Sequence, residues 1–130
     1  MIDVDEDGDG GVVGWLDGTV FKVSTQKSGQ KVVANTDASN MFFHRSKLTT
    51  LDLSGFDTSN VTYMGCMFSS CSNLTTLDLS GFDTSNVTGM NSMFYDCSNL
   101  TTIYISDKWK TASNNGDMFY RCGTSTLTHK

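Results

Sequence analysis

An internal repeat of 26 residues constrains this chain more than any other feature. Residues 48–73 read LTTLDLSGFDTSNVTYMGCMFSSCSN and residues 74–99 read LTTLDLSGFDTSNVTGMNSMFYDCSN, identical at 21 of 26 positions. A worn third copy, one residue short, runs over 100–125, and a half copy over 41–47 precedes the first. Self-similarity at such a period marks stacked units, none of which buries its apolar face alone.

Each copy carries two local patterns. Leu51 and Leu53 alternate with Thr50, Asp52 and Ser54, as Leu77 and Leu79, then Ile103 and Ile105, do in the later copies. That alternation predicts a short strand with one buried face. Met64, Met67, Phe68 and Cys71 then follow at i, i+3, i+4 and i+7, which predicts a two-turn helix capped by Thr62. Met90, Met93, Phe94 and Cys97 match it, with Thr88 as cap. The Gly-Phe-Asp-Thr-Ser-Asn link between the patterns is turn chemistry, with Phe56 or Phe82 as an apolar plug. Stacking sets strand beside strand in parallel and helix beside helix. The five differences between the full copies all lie off the Met-Met-Phe-Cys face, so Tyr63 and Asn91 are expected to point outward.

Organisation follows from the repeat. Residues 1–11 read as a flexible acidic tail, 12–40 as an N-terminal β cap, and 41–130 as the stacked array. Within the cap, Asp17-Gly18 suits a two-residue hairpin turn between 12–16 and 19–23. Ser28-Gly29 then turns the chain into 31–34. The hairpin would cover the open edge of the first coil. At the far end Asn115 stands where the helix methionine would be, and Lys108, Lys110 and Arg121 add charge, as a terminal repeat needs.

Composition excludes several classes. Net charge is −5, and five acids between Asp3 and Asp9 account for all of it. Residues 48–99 hold no Lys or Arg, so the basic footprint of a nucleic-acid binder is absent. No apolar run approaches the roughly 18 residues of a membrane span. Met1-Ile2-Asp3 leads into acid rather than the apolar stretch of a secretory signal. With three Ala, one Glu and 42 Ser, Thr and Asn, a helical bundle is disfavoured.

The motif LDLSGFDTSNVTxMxxMFxxCSNL resembles the BspA-type leucine-rich repeats of bacterial surface proteins. The subgroup is one first catalogued from mycoplasma lipoproteins as a domain of unknown function. The stretch GWLDGTVFKVS…KVVANTDASNMF is similar to the segment that precedes such arrays. The resemblance implies an α/β leucine-rich-repeat solenoid with short parallel strands and short helices, behind an N-terminal β-hairpin cap. It implies display outside the cell or on its surface, and adhesion or binding of host components. It carries over no catalytic residue, cofactor or defined ligand.

Three constellations are weighed as sites. The strand face should align Thr50, Asp52 and Ser54 with Thr76, Asp78 and Ser80, then with Thr102, Tyr104 and Ser106. Thr50, Asp52, Thr76, Asp78, Thr102 and Tyr104 are therefore the candidate ligand-binding residues, a polar platform with one aromatic contact. Asp52 opposite Asp78 is a like-charge pair and unfavourable unless something intervenes. Next, Asp3, Asp5, Asp7 and Asp9 alternate as calcium ligands do, with Gly8 at the sixth position. The twelfth position is Gly14 rather than Glu, and starting at Asp5 puts Leu16 there, so the loop is incomplete and an acidic tail is the favoured reading. Last, Cys71, Cys97 and Cys122 recur in one column and read as buried thiols. Cys66, about 140° around a helix from Cys71, reads as exposed. The spacings fit no zinc pattern, and His44 and His129 lie at opposite ends without a nucleophile motif. The expected function is non-enzymatic binding of a host or microbial surface protein or glycan through the strand face. The alternative is a structural spacer or a phage-type receptor-binding module without its own ligand site.

Overall fold

A computed structural model describes the backbone of residues 2–3, 13–17 and 20–24 and the whole of residues 32–130. Nine short strands are present among them. They are β1 (Ile2–Asp3), β2 (Val13–Asp17), β3 (Val20–Ser24), β4 (Val32–Val33), β5 (Thr50–Asp52), β6 (Phe56–Asp57), β7 (Thr76–Asp78), β8 (Thr102–Ile105) and β9 (Thr128–His129). β2 and β3 form an antiparallel hairpin, and β3 runs parallel beside β5, matching Phe21 to Leu51 and Lys22 to Asp52. Asp17 pairs with Val20, and the two residues between them lie outside the described residues. Part of the expected tail joins the sheet, since Ile2–Asp3 pairs antiparallel with Val13 and Gly14. The candidate calcium-loop residues Asp5, Asp7 and Asp9, the side chain of Asp3 and the Ser28-Gly29 turn lie outside the described residues.

The 26-residue register appears directly in the pairing. β7 and β8 match Thr76 to Thr102, Leu77 to Ile103 and Asp78 to Tyr104. β4 pairs with β6, and β8 with β9, all in parallel. The expected inward set is the core. Leu51, Leu53, Leu77, Leu79, Ile103 and Ile105 are buried, as are Met64, Met67, Phe68, Cys71 and their counterparts Met90, Met93, Phe94 and Cys97. Phe42, Phe68, Phe94 and Phe119 stack in a file with centroids 5.6, 5.8 and 5.6 Å apart. Phe56 and Phe82 meet edge to face at 6.4 Å.

The expected helices are not there. Among the described residues there is no helix, and each Met-x-x-Met-Phe-x-x-Cys stretch is a run of linked turns. Its amides alternate in destination. Met67, Ser69 and Cys71 donate within the coil to the carbonyls of Met64, Cys66 and Phe68. Met64, Cys66, Phe68 and Ser70 donate to the next coil, at Gly89, Asn91, Met93 and Tyr95. The same alternation holds from the half copy into the first coil and from the second into the third. The backbone groups of these stretches are thus satisfied partly within each coil and partly between coils, where a helix would satisfy them all internally.

Turning alternate amides outward requires left-handed residues, and two occur in every coil. They are Asn40 and His44, Cys66 and Ser70, Ser92 and Asp96, Asp117 and Arg121, all with φ between 56° and 63°. Spacing alone does not separate the two conformations, because consecutive four-residue turns also place i, i+3, i+4 and i+7 on one side. Short segments rich in Ser, Gly and Cys are weak helix formers, and an eight-residue helix carries a large nucleation cost. Bonds to flanking coils tip the balance. The expected caps serve the stack instead: the Thr62 hydroxyl donates to Thr36 O and that of Thr88 to Thr62 O, each one repeat away.

Further side chains stitch the coils at the same interval. Asn73 Nδ2 donates to Ser46 O and Asn99 Nδ2 to Ser72 O. Thr58 Oγ1 donates to Asp83 O and accepts from Asp83 N. Tyr63 does not point freely outward. Its hydroxyl donates to Asn91 Oδ1 at 2.5 Å, and its ring covers Gly89, where a Cβ would collide with it. Two of the five differences between the copies, at 63/89 and 65/91, are therefore one packing arrangement shared between two coils.

Candidate functional site

The strand face is where the stack departs from its own repeat. β3 and β5 close one sheet, and β7, β8 and β9 form another, but β5 and β7 fall in different sheets. Leu79 N donates to Tyr104 O at 2.8 Å across the β7–β8 junction. The amide of Leu53, its equivalent one coil earlier, has no such partner among the described residues. The two coils stay tied through Thr58–Asp83 and the turn ladder, so the parting is confined to the strands.

The residues at the two junctions explain the difference. At the closed junction Asp78 faces Tyr104. Lys130 Nζ lies 2.5 Å from Asp78 Oδ2 and 5.2 Å from the centre of the Tyr104 ring, so that side of Asp78 is neutralised. At the parted junction the repeat register sets Asp52 against Asp78. Like charges opposed on neighbouring strands are unfavourable, and this is the junction at which β5 and β7 fall in different sheets.

A cleft of about 320 Å³ opens at this parting, lined by Leu51, Asp52, Leu53, Ser54, Asp78, Ser80 and Gly81. Its floor is apolar and its rim polar. Both carboxylates are held in place. Ser54 donates to Asp52 Oδ1 from its amide at 3.1 Å and its hydroxyl at 2.6 Å. Ser80 does the same for Asp78 at 3.0 and 2.6 Å. Partial burial pulls the Asp78 carboxyl upward, but Lys130 and Ser80 outweigh it and hold it below its ordinary value. The rim therefore presents fixed, charged acceptors, and the Leu53 amide adds a donor.

Of the six candidate residues, the cleft brings together Asp52 and Asp78. Thr50 and Thr76 are exposed on the strands outside it, and Thr102 and Tyr104 belong to the closed junction. Ser54, Ser80 and Gly81 complete the lining, and the sequence signal for the serines was their place two residues after each aspartate, where they form Asx-type turns. No group of three or more His, Cys, Asp or Glu able to hold a metal occurs among the described residues. No helix among them is long and apolar enough to cross a membrane.

The thiols divide as their surroundings dictate. All four cysteines are free; Cys71 and Cys97 are buried, and Cys66 and Cys122 are half-buried. Cys66 is thus less exposed, and Cys122 more exposed, than the column pattern implied. Cys71 Sγ donates to Phe42 O and Cys97 Sγ to Phe68 O. Burial pushes the thiols up to about 11 and about 12, so both are neutral packing groups at physiological pH.

No curated protein and no solved structure matches the chain. A family model does, the one described as Mycoplasma protein of unknown function, DUF285, and it matches residues 19–128. That span takes in β3, every coil and the whole cleft, and by it the chain belongs to this family.

Proposed function

We propose that this protein is a non-enzymatic binding module of the BspA leucine-rich-repeat type, displayed at a bacterial surface, and that it holds a glycan in the cleft between β5 and β7. The observation that carries this reading is the parting of two otherwise repeating strands beside two anchored carboxylates. A ligand rich in hydroxyls matches the chemistry: its O–H groups donate to Asp52 and Asp78, its oxygens accept from the Leu53 amide, and its apolar ring face lies over Leu51 and Leu53. A ligand placed there would also separate the two carboxylates. The cleft is open to solvent along its rim and does not enclose its carboxylates as a site that perturbs a catalytic acid does, which supports binding over hydrolysis. A cleft of this size on one chain favours weak affinity, on the order of micromolar to millimolar, raised by multivalent display.

The test is a screen on glycan and host-matrix arrays with the chain and two variants. Binding is expected to vanish in the Asp52→Ala/Asp78→Ala variant and to persist in Thr50→Ala/Thr76→Ala. Equal binding by both variants would move the site off the cleft. Binding confined to matrix proteins would replace the glycan with a protein ligand.

A further inference from the structure

The turn ladder is polar along the stack. Within the Met-x-x-Met-Phe-x-x-Cys stretches the inter-coil bonds run from amides of one coil to carbonyls of the next, whereas the flanking Thr62, Thr88 and Gly123 amides donate back to the coil before. The final coil therefore ends in donors only. The amides of Asn115, Asp117, Phe119 and Arg121 stand in the positions that donate forward in every earlier coil, and none has a partner among the described residues. Their carbonyls are not exposed in the same way, since those of Asn115, Asp117 and Phe119 accept from Met118, Tyr120 and Cys122. An ordinary strand edge offers donors and acceptors alternately; this edge offers a row of donors.

The phenylalanine file ends at the same place. Phe42, Phe68 and Phe94 are buried to 1% exposure or less, whereas Phe119 is half-buried, with Phe94 stacked on one face. A hollow of about 400 Å³ lies here, lined by Thr111, Asn115, Asp117, Met118, Phe119 and Tyr120. Tyr120 is 53% exposed and stacks on Tyr95. The charge is also distinct: residues 100–130 carry four Lys or Arg against two Asp, while copy 74–99 carries three Asp and no Lys or Arg.

We propose that this end of the turn ladder docks one further coil of the same repeat type, carried by another polypeptide. Such a coil presents what the edge lacks: carbonyls at alternate residues and a phenylalanine ring for the open face of Phe119. The three coil–coil junctions within the molecule are the template for this fourth. Symmetric pairing of two copies through this edge would set donors against donors, which leaves both rows unsatisfied. Head-to-tail pairing of copies would need an open ring at the other end, and Phe42 is 1% exposed.

A synthetic peptide of residues 74–99 serves as the probe, titrated onto the full chain while amide exchange is followed residue by residue. Asn115, Asp117, Phe119 and Arg121 should slow by at least about tenfold, with Met118, Tyr120 and Cys122 unchanged because they are already bonded within the coil. A peptide carrying Phe94→Ala should bind several-fold to roughly tenfold more weakly, the value of one aromatic stack. No slowing at millimolar peptide, slowing without the alternation, or equal binding by the Phe94→Ala peptide would each overturn the proposal. Concentration-dependent dimers of the chain alone in sedimentation, with the same four amides slowed, would make a second copy the occupant and overturn it too.

Discussion

At the junction of the two full copies, the turn face keeps four backbone hydrogen bonds between coils, while on the strand face β5 and β7 lie in separate sheets. The strand stretches of the two copies are identical and all five differences fall in the turn stretch, so pattern alone does not account for the difference. What separates them is what lies opposite what. On the turn face, phenylalanine meets phenylalanine and amide meets carbonyl. On the strand face, aspartate meets aspartate. A stacked array multiplies every residue choice by its neighbour, which makes a favourable column strong and an unfavourable one a fault line. In this molecule the fault line is also where the candidate site lies.

The comparison is most severely tested by truncating a side chain in each region. Phe94→Ala removes a ring stacked on both sides in the continuous face and should cost about 3–5 kcal/mol in denaturant unfolding. Leu53→Ala, beside the cleft, should cost nearer 2 kcal/mol, the low end for a buried leucine. Equal losses would mean that the strand face packs as tightly as the turn face. Gly89→Ala is next, at about 1–3 kcal/mol from the collision with the Tyr63 ring. That cost should largely vanish when Tyr63→Ala is made as well, a coupling readable in a double-mutant cycle.

Two smaller effects carry their information in their sign. Ser70 has φ 63°, so Ser70→Gly should stabilise the protein by up to about 1 kcal/mol, relief of left-handed strain less the added chain entropy. In a helix the same change would destabilise by a comparable amount. Asp52→Asn keeps an acceptor for Ser54 but removes one of the opposed charges. It should raise stability by a few tenths to about 1 kcal/mol and draw β5 toward β7. A loss of stability on Asp52→Asn would show that charge does not hold the strands apart.

Much of this architecture is legible in the residues, and the reasons for success and failure are physical. Burial was readable because it depends on side-chain spacing: Leu77, Met93, Phe94 and Cys97 are inside as their periodicity requires. Conformation was not, because Met64-Gly65-Cys66-Met67 gives the same buried face as a helix or as turns, and bonds to flanking coils decide between them. Tyr63 was misread as outward because its partners Gly89 and Asn91 lie in the next copy, where a comparison of copies shows difference but not contact. At the site, the opposition of Asp52 and Asp78 was foreseeable from the register. That β5 and β7 would part while β7 and β8 pair was not, and the Lys130 that meets Asp78 lies outside the repeat, 52 residues away in sequence.

The central claim, that identical coils are joined on one face and parted on the other, is most directly tested by residue-resolved amide hydrogen exchange on the native chain. Leu53 and Leu79 are equivalent residues with buried side chains in identical local sequence, and among the described residues only the Leu79 amide has an inter-coil partner. Leu79 should exchange more slowly than Leu53 by a hundredfold or more, on the order expected when one amide is bonded and its twin is open. Phe68 and Phe94, equivalent residues on the turn face, should both be slow. Equal protection of Leu53 and Leu79 would mean that the strand ladder is continuous, and the cleft and the site proposed for it would fall together.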